Sequence, residues 1–244
     1  MRRSLRWMIS ASLTALISPA LLAQGADVSA KIILRGDKHK NGAPTTATPA
    51  NVVVWLSPLQ AVESRPSVTP HPPYRLLQKD KQFHPHLLVV PTGSSVEFPN
   101  ADPFFHNVFS LFNGKRFDLG LYESGMSRSV RFDREGVSYI FCNIHPEMGA
   151  VVLSLSTPYY AISNADGVVT IRGVPPGAYR LNTWSENAQP LAPDETQRIV
   201  QIGLESSSGV VRLGEIAMQP AANPHGEHKN KFGGEYVPEA REPY

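Results

Sequence analysis

Proline and glycine interrupt this chain so often that long helices are disfavoured, and short strands joined by turns are the expected structure. The 244 residues include 22 Pro and 18 Gly, and no long stretch has the periodicity of an amphipathic helix. Runs rich in β-branched residues lie between the turn signals and predict strands. These predicted strands are Lys31–Leu34, Asn51–Leu56, Leu87–Val90, Ser95–Phe98, Ser129–Phe132, Val137–Phe141, Val151–Leu155, Val168–Ile171, Tyr179–Thr183 and Val210–Ile216. The pattern indicates an all-β fold of the sandwich type.

Four side chains in the middle of the chain have the donor types that copper prefers. Cys142, His145 and Met148 lie in one short run, and His106 lies upstream of them. Two imidazoles, one thiolate and one weak thioether are the ligand set of a blue-copper electron-transfer centre. The sequence therefore predicts a copper site. Three alternatives remain open: Cys142 as an inert buried thiol, Met148 as a packing residue, or the carboxylate of Glu147 as a copper ligand.

The side chains around this predicted site have two further features. Several phenylalanines are expected to form an apolar wall that excludes water, namely Phe98, Phe104, Phe105, Phe109 and Phe141. The nearby acidic residues have no paired arrangement that would indicate acid–base catalysis, and they are Asp102, Asp118, Glu123 and Asp133. We therefore expect no enzymatic activity at this site.

The first 25 residues have the pattern of a secretory signal. Three arginines precede the uncharged apolar stretch Trp7–Leu22, which is short for a membrane span and contains a proline. We expect cleavage after Ala23 or Gly25 and export to the periplasm or to the outside of the cell. A retained N-terminal anchor is the alternative.

The charge balance and the single cysteine agree with an exported metal protein. Three of the 23 basic residues belong to the signal, which leaves 20 basic and 21 acidic residues in the mature chain. No basic patch with interleaved aromatic residues is evident, so we exclude nucleic acid as a partner. No later segment is apolar enough to span a membrane. A lone thiol in an oxidising compartment needs burial or a function, and a metal–thiolate bond is such a function.

The segment that contains the four donors resembles the cupredoxin family over residues 74–156. Its ligand loop, Cys-x-x-His-Pro-x-Met, is similar to that of the methylamine-utilisation-type, amicyanin subgroup of these plastocyanin-like type 1 copper proteins. The resemblance implies a Greek-key β-sandwich. The other motifs that carry it are Phe83-x-Pro85-x-x-Leu88-x-Val90-x-x-Gly93-x-x-Val96-x-Phe98-x-Asn100 and Gly136-Val-Ser-Tyr139-Ile-Phe141-Cys142.

Carried over by position, the resemblance implies one type 1 copper bound by four residues. His106 and His145 would bind through imidazole nitrogen, Cys142 through its thiolate, and Met148 as the long axial ligand. Asn107 corresponds to the position whose backbone N–H points at the cysteine sulfur, a contact that tunes the potential. Glu147 departs from the family pattern, because an apolar residue is usual there.

A second resemblance concerns the two ends of the chain. The run from Asn164 to Leu181, with its Asp-Gly turn and Pro-Gly-x-Tyr motif, is similar to the carboxypeptidase-regulatory, transthyretin-like β-sandwich. Residues 26–60 resemble the first half of that sandwich. We therefore expect residues 26–60 and 157–219 to form a second, small sandwich into which the copper domain is inserted. The alternative is a copper domain simply followed by a small β-domain.

Two remaining segments have compositions typical of connectors. Residues 61–73 are rich in proline and predict a linker, and residues 220–244 are polar and predict a tail that is disordered or lies on the surface.

The function expected from this sequence is one-electron transfer between a redox protein donor and an acceptor. One alternative is a copper-binding or copper-delivery module without a role in electron transfer. Another is a domain of an oxidase or a nitrite reductase-like enzyme, which needs additional copper. Only His84 and His86 could contribute to such a second site.

Overall fold

The described part of this protein is built from β-strands alone, which confirms the predicted all-β fold class. The structure, a computed structural model, describes residues 25–35, 48–60, 73–111, 114–191, 198–203, 209–221 and 230–234. No helix within these ranges has the length and hydropathy of a membrane span. The strands are β1 (Ala26–Leu34), β2 (Val53–Pro58), β3 (Tyr74–Arg75), β4 (Leu77–Lys79), β5 (Gln82–His84), β6 (Leu87–Pro91), β7 (Ser95–Pro99), β8 (His106–Ser110), β9 (Phe117–Tyr122), β10 (Ser127–Arg131), β11 (Gly136–Phe141), β12 (Gly149–Leu155), β13 (Tyr160–Ile162), β14 (Val168–Val174), β15 (Gly177–Trp184), β16 (Ala188–Pro190), β17 (Ile199–Ile202) and β18 (Val210–Pro220).

Strands from the two ends of the chain form one pair of sheets. The first sheet has the order β14-β1-β18-β16, and the second has the order β13-β2-β15-β17. In β1 and β14 buried residues alternate with more exposed ones, because one face of each strand points into the core. The core between the sheets includes Ile32, Leu56, Tyr179 and Leu181. We call this unit the outer sandwich.

The middle of the chain forms a second pair of sheets, which we call the central sandwich. A three-stranded sheet, β10-β7-β3, faces a five-stranded sheet with the order β6-β12-β11-β8-β9. Phe98, Phe132 and Ile140 are fully buried between them. Cys142 and Met148 belong to the same apolar cluster, so the predicted metal site lies at one end of this core.

The two sandwiches pack against each other through the outer faces of one sheet each. Val53 and Trp55 of β2 form a cluster with Leu153 and Leu155 of β12. Strand β12 is therefore buried on both faces, since Val152 points into the central core while Leu153 points toward the outer sandwich. Two-sided burial explains why apolar residues follow one another from Ala150 to Leu153 in this strand instead of alternating with polar ones.

Parts of three segments predicted from the sequence lie outside the described residues. They are the signal except Gly25, residues 61–72 of the linker, and most of the polar tail. Residues 230–234 of the tail form a turn that contacts the central sandwich.

His86 connects the two sandwiches by a polar contact beside the ligand loop. Its Nε2 lies 2.6 Å from a carboxylate oxygen of Glu186 in the outer sandwich, and its Nδ1 lies 3.0 Å from the carbonyl oxygen of Gly149. Both neighbours are acceptors, so the doubly protonated imidazolium satisfies them best. The hydrogen bond to Glu186 raises the pKa of His86 above its ordinary value, although partial burial opposes the rise.

This contact predicts that stability falls as the pH rises. Because the folded-state pKa of His86 is raised, its contribution is complete below the unfolded pKa of about 6.5 and is lost as the pH rises through the folded value. As the pH rises from the unfolded pKa to the folded pKa of His86, we expect the free energy of unfolding to fall. The slope of this fall should correspond to the release of at most about one proton on unfolding. Glu186→Gln should weaken that dependence, because Glu186 is the largest cause of the raised pKa of His86. The control is His84→Gln, at an exposed histidine two residues away, which leaves the contact between His86 and Glu186 in place. Urea unfolding of both variants at several pH values between 5.5 and 8.5 measures how the free energy of unfolding depends on pH. An unchanged slope in Glu186→Gln would contradict the assignment of this dependence to the contact between His86 and Glu186.

Candidate metal centre

The structure brings three of the four predicted ligands together at the end of the central core. One donor atom each from His106, Cys142 and His145 lies within 4.8 Å of the others, and all three residues are buried. The Sγ of Cys142 is 3.7 Å from Nδ1 of His106 and 3.7 Å from Nδ1 of His145, and the two ring nitrogens are 3.2 Å apart. Donor atoms that converge in this way are stabilised by a proton or a cation between them.

A short loop between β11 and β12 positions Cys142, His145 and Met148. Two backbone hydrogen bonds hold it: Met148 N–H donates to the His145 carbonyl at 3.0 Å, and Cys142 N–H donates to the Met148 carbonyl at 3.3 Å. Pro146 occupies the second position of the resulting turn, where its fixed φ is favourable. The side chain of Met148 is fully buried in the same apolar cluster as Cys142, and its role as the fourth ligand stays a prediction.

Asp102 determines which nitrogen of His106 faces the other donors. Its carboxylate lies 2.8 Å from Nε2 of His106 and also accepts the backbone N–H groups of Asp80 and Lys81, at 2.7 and 3.0 Å. A proton on Nε2 leaves the Nδ1 lone pair directed toward Cys142. Burial opposes the charge of Asp102, but the hydrogen bonds from His106 and the two amides lower its pKa.

The surroundings of Cys142 favour the thiolate. Burial alone would raise the pKa of this thiol, but the adjacent His106 ring and the backbone amides of Asn107, Ile144 and His145 lower it. The thiolate is the form that binds metals. The amide of Asn107 is thus one of three backbone donors to the sulfur, while its predicted role in tuning a potential stays a prediction.

Asp118 on β9 holds the side chain of Asn107. The Asn107 Nδ2 donates to Asp118 Oδ1 at 2.7 Å, and the same oxygen accepts the backbone N–H of Gly120. Sequence reasoning considered Asp102 and Asp118 only as acid–base candidates and missed both positioning roles. For Asp102, its position four residues before His106 was the available signal.

The predicted aromatic wall is only partly present. The Phe104 ring contacts both imidazoles, with centroids 5.2 Å from His106 and 5.5 Å from His145, and Phe98 lies in the core with Cys142 and Met148. Phe105 is 55% exposed. The rings of Phe109 and Phe141 pack against each other 6.0 Å apart, outside that cluster. Side chains alternate along a strand, so Phe141 points away from the face that Ile140 and Cys142 share.

The other candidate ligands lie apart from this group. Glu147 is exposed on the ligand loop and does not belong to the donor cluster. His84 is exposed on β5, and His86 contacts Glu186. Within the described ranges, the cluster of His106, Cys142 and His145 is the one group of at least three His, Cys, Asp or Glu residues that could hold a metal.

Comparisons with protein-family models and with curated proteins found no match. The solved structures similar to this chain include cupredoxins, each at low identity. A purple cupredoxin from Nitrosopumilus maritimus is 24% identical over 34% of this chain and 99% of its own, with a TM-score of 0.31. Amicyanin from Paracoccus versutus is 18% identical over 36% of this chain and 86% of its own, with a TM-score of 0.33. The Cu-containing nitrite reductase NirK from Thermus scotoductus is 18% identical over 51% of this chain and 28% of its own, with a TM-score of 0.34.

Proposed function

We propose that this protein is a type 1 copper protein that carries single electrons between redox partners. The observation that carries the proposal is the convergence of two imidazole nitrogens and one cysteine sulfur in a buried group, with Met148 on the same loop. This donor set matches that of blue-copper electron-transfer sites. When bound, copper would supply the Cu(I)/Cu(II) couple.

The residues present fit one copper ion. His106 and His145 would bind through Nδ1, Cys142 through Sγ, and Met148 as the weak axial ligand. The backbone amides around the sulfur hold the thiolate, and Asp102 holds the ring of His106. Fixed ligands of this kind suit a site whose geometry changes little between oxidation states.

Electron transfer, rather than bond-making catalysis, agrees with the burial of the donors. His145 is 5% exposed and His106 is fully buried, so a substrate would have little access to the donor atoms. His145 lies nearer the solvent and contacts Phe104, which is 36% exposed. We propose that electrons enter and leave on this face, where a redox protein donor and an acceptor dock in turn.

The strand pairing supports a copper domain inserted into a second sandwich. Strand β1 pairs with β14 and β18, and β2 pairs with β13 and β15, while residues 74–155 form the central sandwich. We propose that the outer sandwich is a transthyretin-like scaffold without chemistry of its own. We further propose that the protein is exported to the periplasm or secreted, as the sequence of residues 1–25 indicates.

Titration of the protein with Cu(II), followed by optical and electron paramagnetic resonance spectroscopy, tests this function. We expect an intense visible thiolate-to-copper band and narrow copper hyperfine splitting, both complete at one equivalent. A pale signal with wide splitting would contradict the electron carrier and favour a copper-binding or copper-delivery module.

A further inference from the structure

A turn near the C-terminal end of the chain presents Lys231 in a fixed conformation. Asn230 closes this turn, because its Oδ1 accepts the backbone N–H groups of Phe232 and Gly234 at 3.0 and 3.1 Å. Two backbone hydrogen bonds complete it, one from Asn230 N–H to the Gly234 carbonyl and one from Gly233 N–H to the Asn230 carbonyl, each at 2.9 Å. Gly233 has a φ of 81°, which favours glycine.

Lys231 contacts the surroundings of the donor group at two points. Its backbone N–H donates to Oδ1 of Asn143 at 3.0 Å, and its Nζ lies 2.8 Å from Oδ2 of Asp118. Asn143 directly follows Cys142 in the ligand loop. The turn therefore joins the ligand loop to strand β9.

The contact between Lys231 and Asp118 is connected, through Asn107, to the sulfur of Cys142. Asp118 accepts a hydrogen bond from the Asn107 side chain at 2.7 Å, and the backbone amide of Asn107 is a hydrogen-bond donor to the Cys142 thiolate. Lys231 is thus connected to Cys142 through Asn143 on one side and through Asp118 and Asn107 on the other. Neither route places Lys231 itself among the donor atoms.

We infer that Lys231 is a positioning residue for the metal centre, and that the turn at residues 230–234 is a strap that holds the ligand loop against β8 and β9. The inference deepens the proposed function, because it rests on Cys142 being a metal ligand. The strap itself, however, is testable in the metal-free protein.

The chain offers a matched control for this ion pair. In the same sandwich, Nζ of Lys115 lies 2.9 Å from Oδ1 of Asp133, and the two side chains are 26% and 51% exposed. The side chains of Lys231 and Asp118 are similarly exposed, at 22% and 41%. The ammonium group of Lys115 pairs with Asp133, which lies outside the ligand loop. Lys115→Met therefore removes a similar surface ion pair without touching the strap.

The test measures how fast a thiol reagent labels the metal-free full chain. Cys142 is the only cysteine and is fully buried, so labelling reports opening of the ligand loop. We expect Lys231→Met to accelerate labelling about three- to tenfold, the effect of losing a partly buried ion pair and loosening the associated backbone hydrogen bond. Lys115→Met should leave the rate unchanged, and Lys231→Arg should largely restore it. Equal rates in Lys231→Met and Lys115→Met would overturn the inference.

The direction of the Lys231→Met effect, compared with that of Asp118→Asn, separates positioning from a simple effect of charge. If the strap positions the loop, Asp118→Asn and Lys231→Met both accelerate labelling. If Lys231 acts only through its charge, its loss disfavours the thiolate and slows labelling, whereas loss of the Asp118 charge accelerates it. Opposite signs would therefore overturn the inference.

In the copper-loaded protein, Lys231→Met should also alter the thiolate-to-copper band and the reduction potential, and Lys115→Met should alter neither. A protein that lacks the copper band but keeps the labelling pattern would refute the proposed function and leave the strap intact.

Discussion

Cys142→Ser is expected to abolish the intense visible absorption of the copper-loaded protein while the β-sheet structure is retained. The band requires a thiolate bonded to copper, and a serine hydroxyl is a harder, far less acidic donor that cannot replace it. Because Cys142 is fully buried, the new hydroxyl is also expected to destabilise the fold by about 1–3 kcal/mol. Copper titration with optical detection measures the band, and far-ultraviolet circular dichroism with urea unfolding measures the fold.

A buried neighbour on the same strand provides the control for this experiment. Ile140 faces the same core two residues before Cys142, and Ile140→Val should cost about 0.5–1.5 kcal/mol of stability. That variant should keep the absorption band, which separates loss of the ligand from destabilisation. If Cys142→Ser kept the band, Cys142 would not be the copper ligand.

Met148→Leu is expected to keep the colour and raise the reduction potential. Leucine fills a similar apolar volume but removes the axial donor, and the lower coordination number and more apolar surroundings that result favour Cu(I) over Cu(II). We expect a shift of at least about 59 mV, which corresponds to a tenfold change in the one-electron equilibrium. Met148→Gln, which supplies a harder axial oxygen, should shift the potential in the opposite direction.

Met126 is the matched control, because it is 49% exposed on the turn between β9 and β10. Redox titration of Met126→Leu should return the unaltered potential. An unaltered potential in Met148→Leu as well would mean that Met148 only packs in the core.

The ligand loop was predictable because its chemistry is local in the sequence. Cys142, His145 and Met148 lie close together on one short loop, so their donor types could be recognised together. The β-branched residues of Val151–Leu155 likewise predicted a strand, and burial of β12 on both faces accounts for its consecutive apolar residues. These features depend on neighbours along the chain.

Strand β8, which carries His106, was not predicted. All five of its residues are buried, yet His106, Asn107 and Ser110 are polar, so neither alternation nor an apolar run marks it. Two of these polar residues belong to the candidate metal centre: His106 is a predicted ligand, and the backbone amide of Asn107 is a hydrogen-bond donor to the Cys142 sulfur. Local patterns therefore fail at the strand where the site replaces part of the hydrophobic core.

Some partners of Asp102 and Asp118 could not be predicted, because they come from distant segments. Asp102 accepts hydrogen bonds from the backbone amides of the turn between β4 and β5. Asp118 pairs with the ammonium group of Lys231, which is 113 positions away in the sequence. A single sequence contains no local signal for such contacts. They follow from tertiary pairing alone.

The parallel pairing of β1 with β18 has a consequence for the order of folding. Ser29 lies beside Arg212, so the outer sandwich cannot close until the segment around residue 212 has been synthesised. The central sandwich uses one continuous segment, residues 74–155, and needs no strand from either end. Closing the shorter loops costs less chain entropy, so during synthesis this unit can form before the sandwich around it is complete. The domain with the predicted metal ligands would then serve as the surface on which the β13-β2-β15-β17 sheet packs.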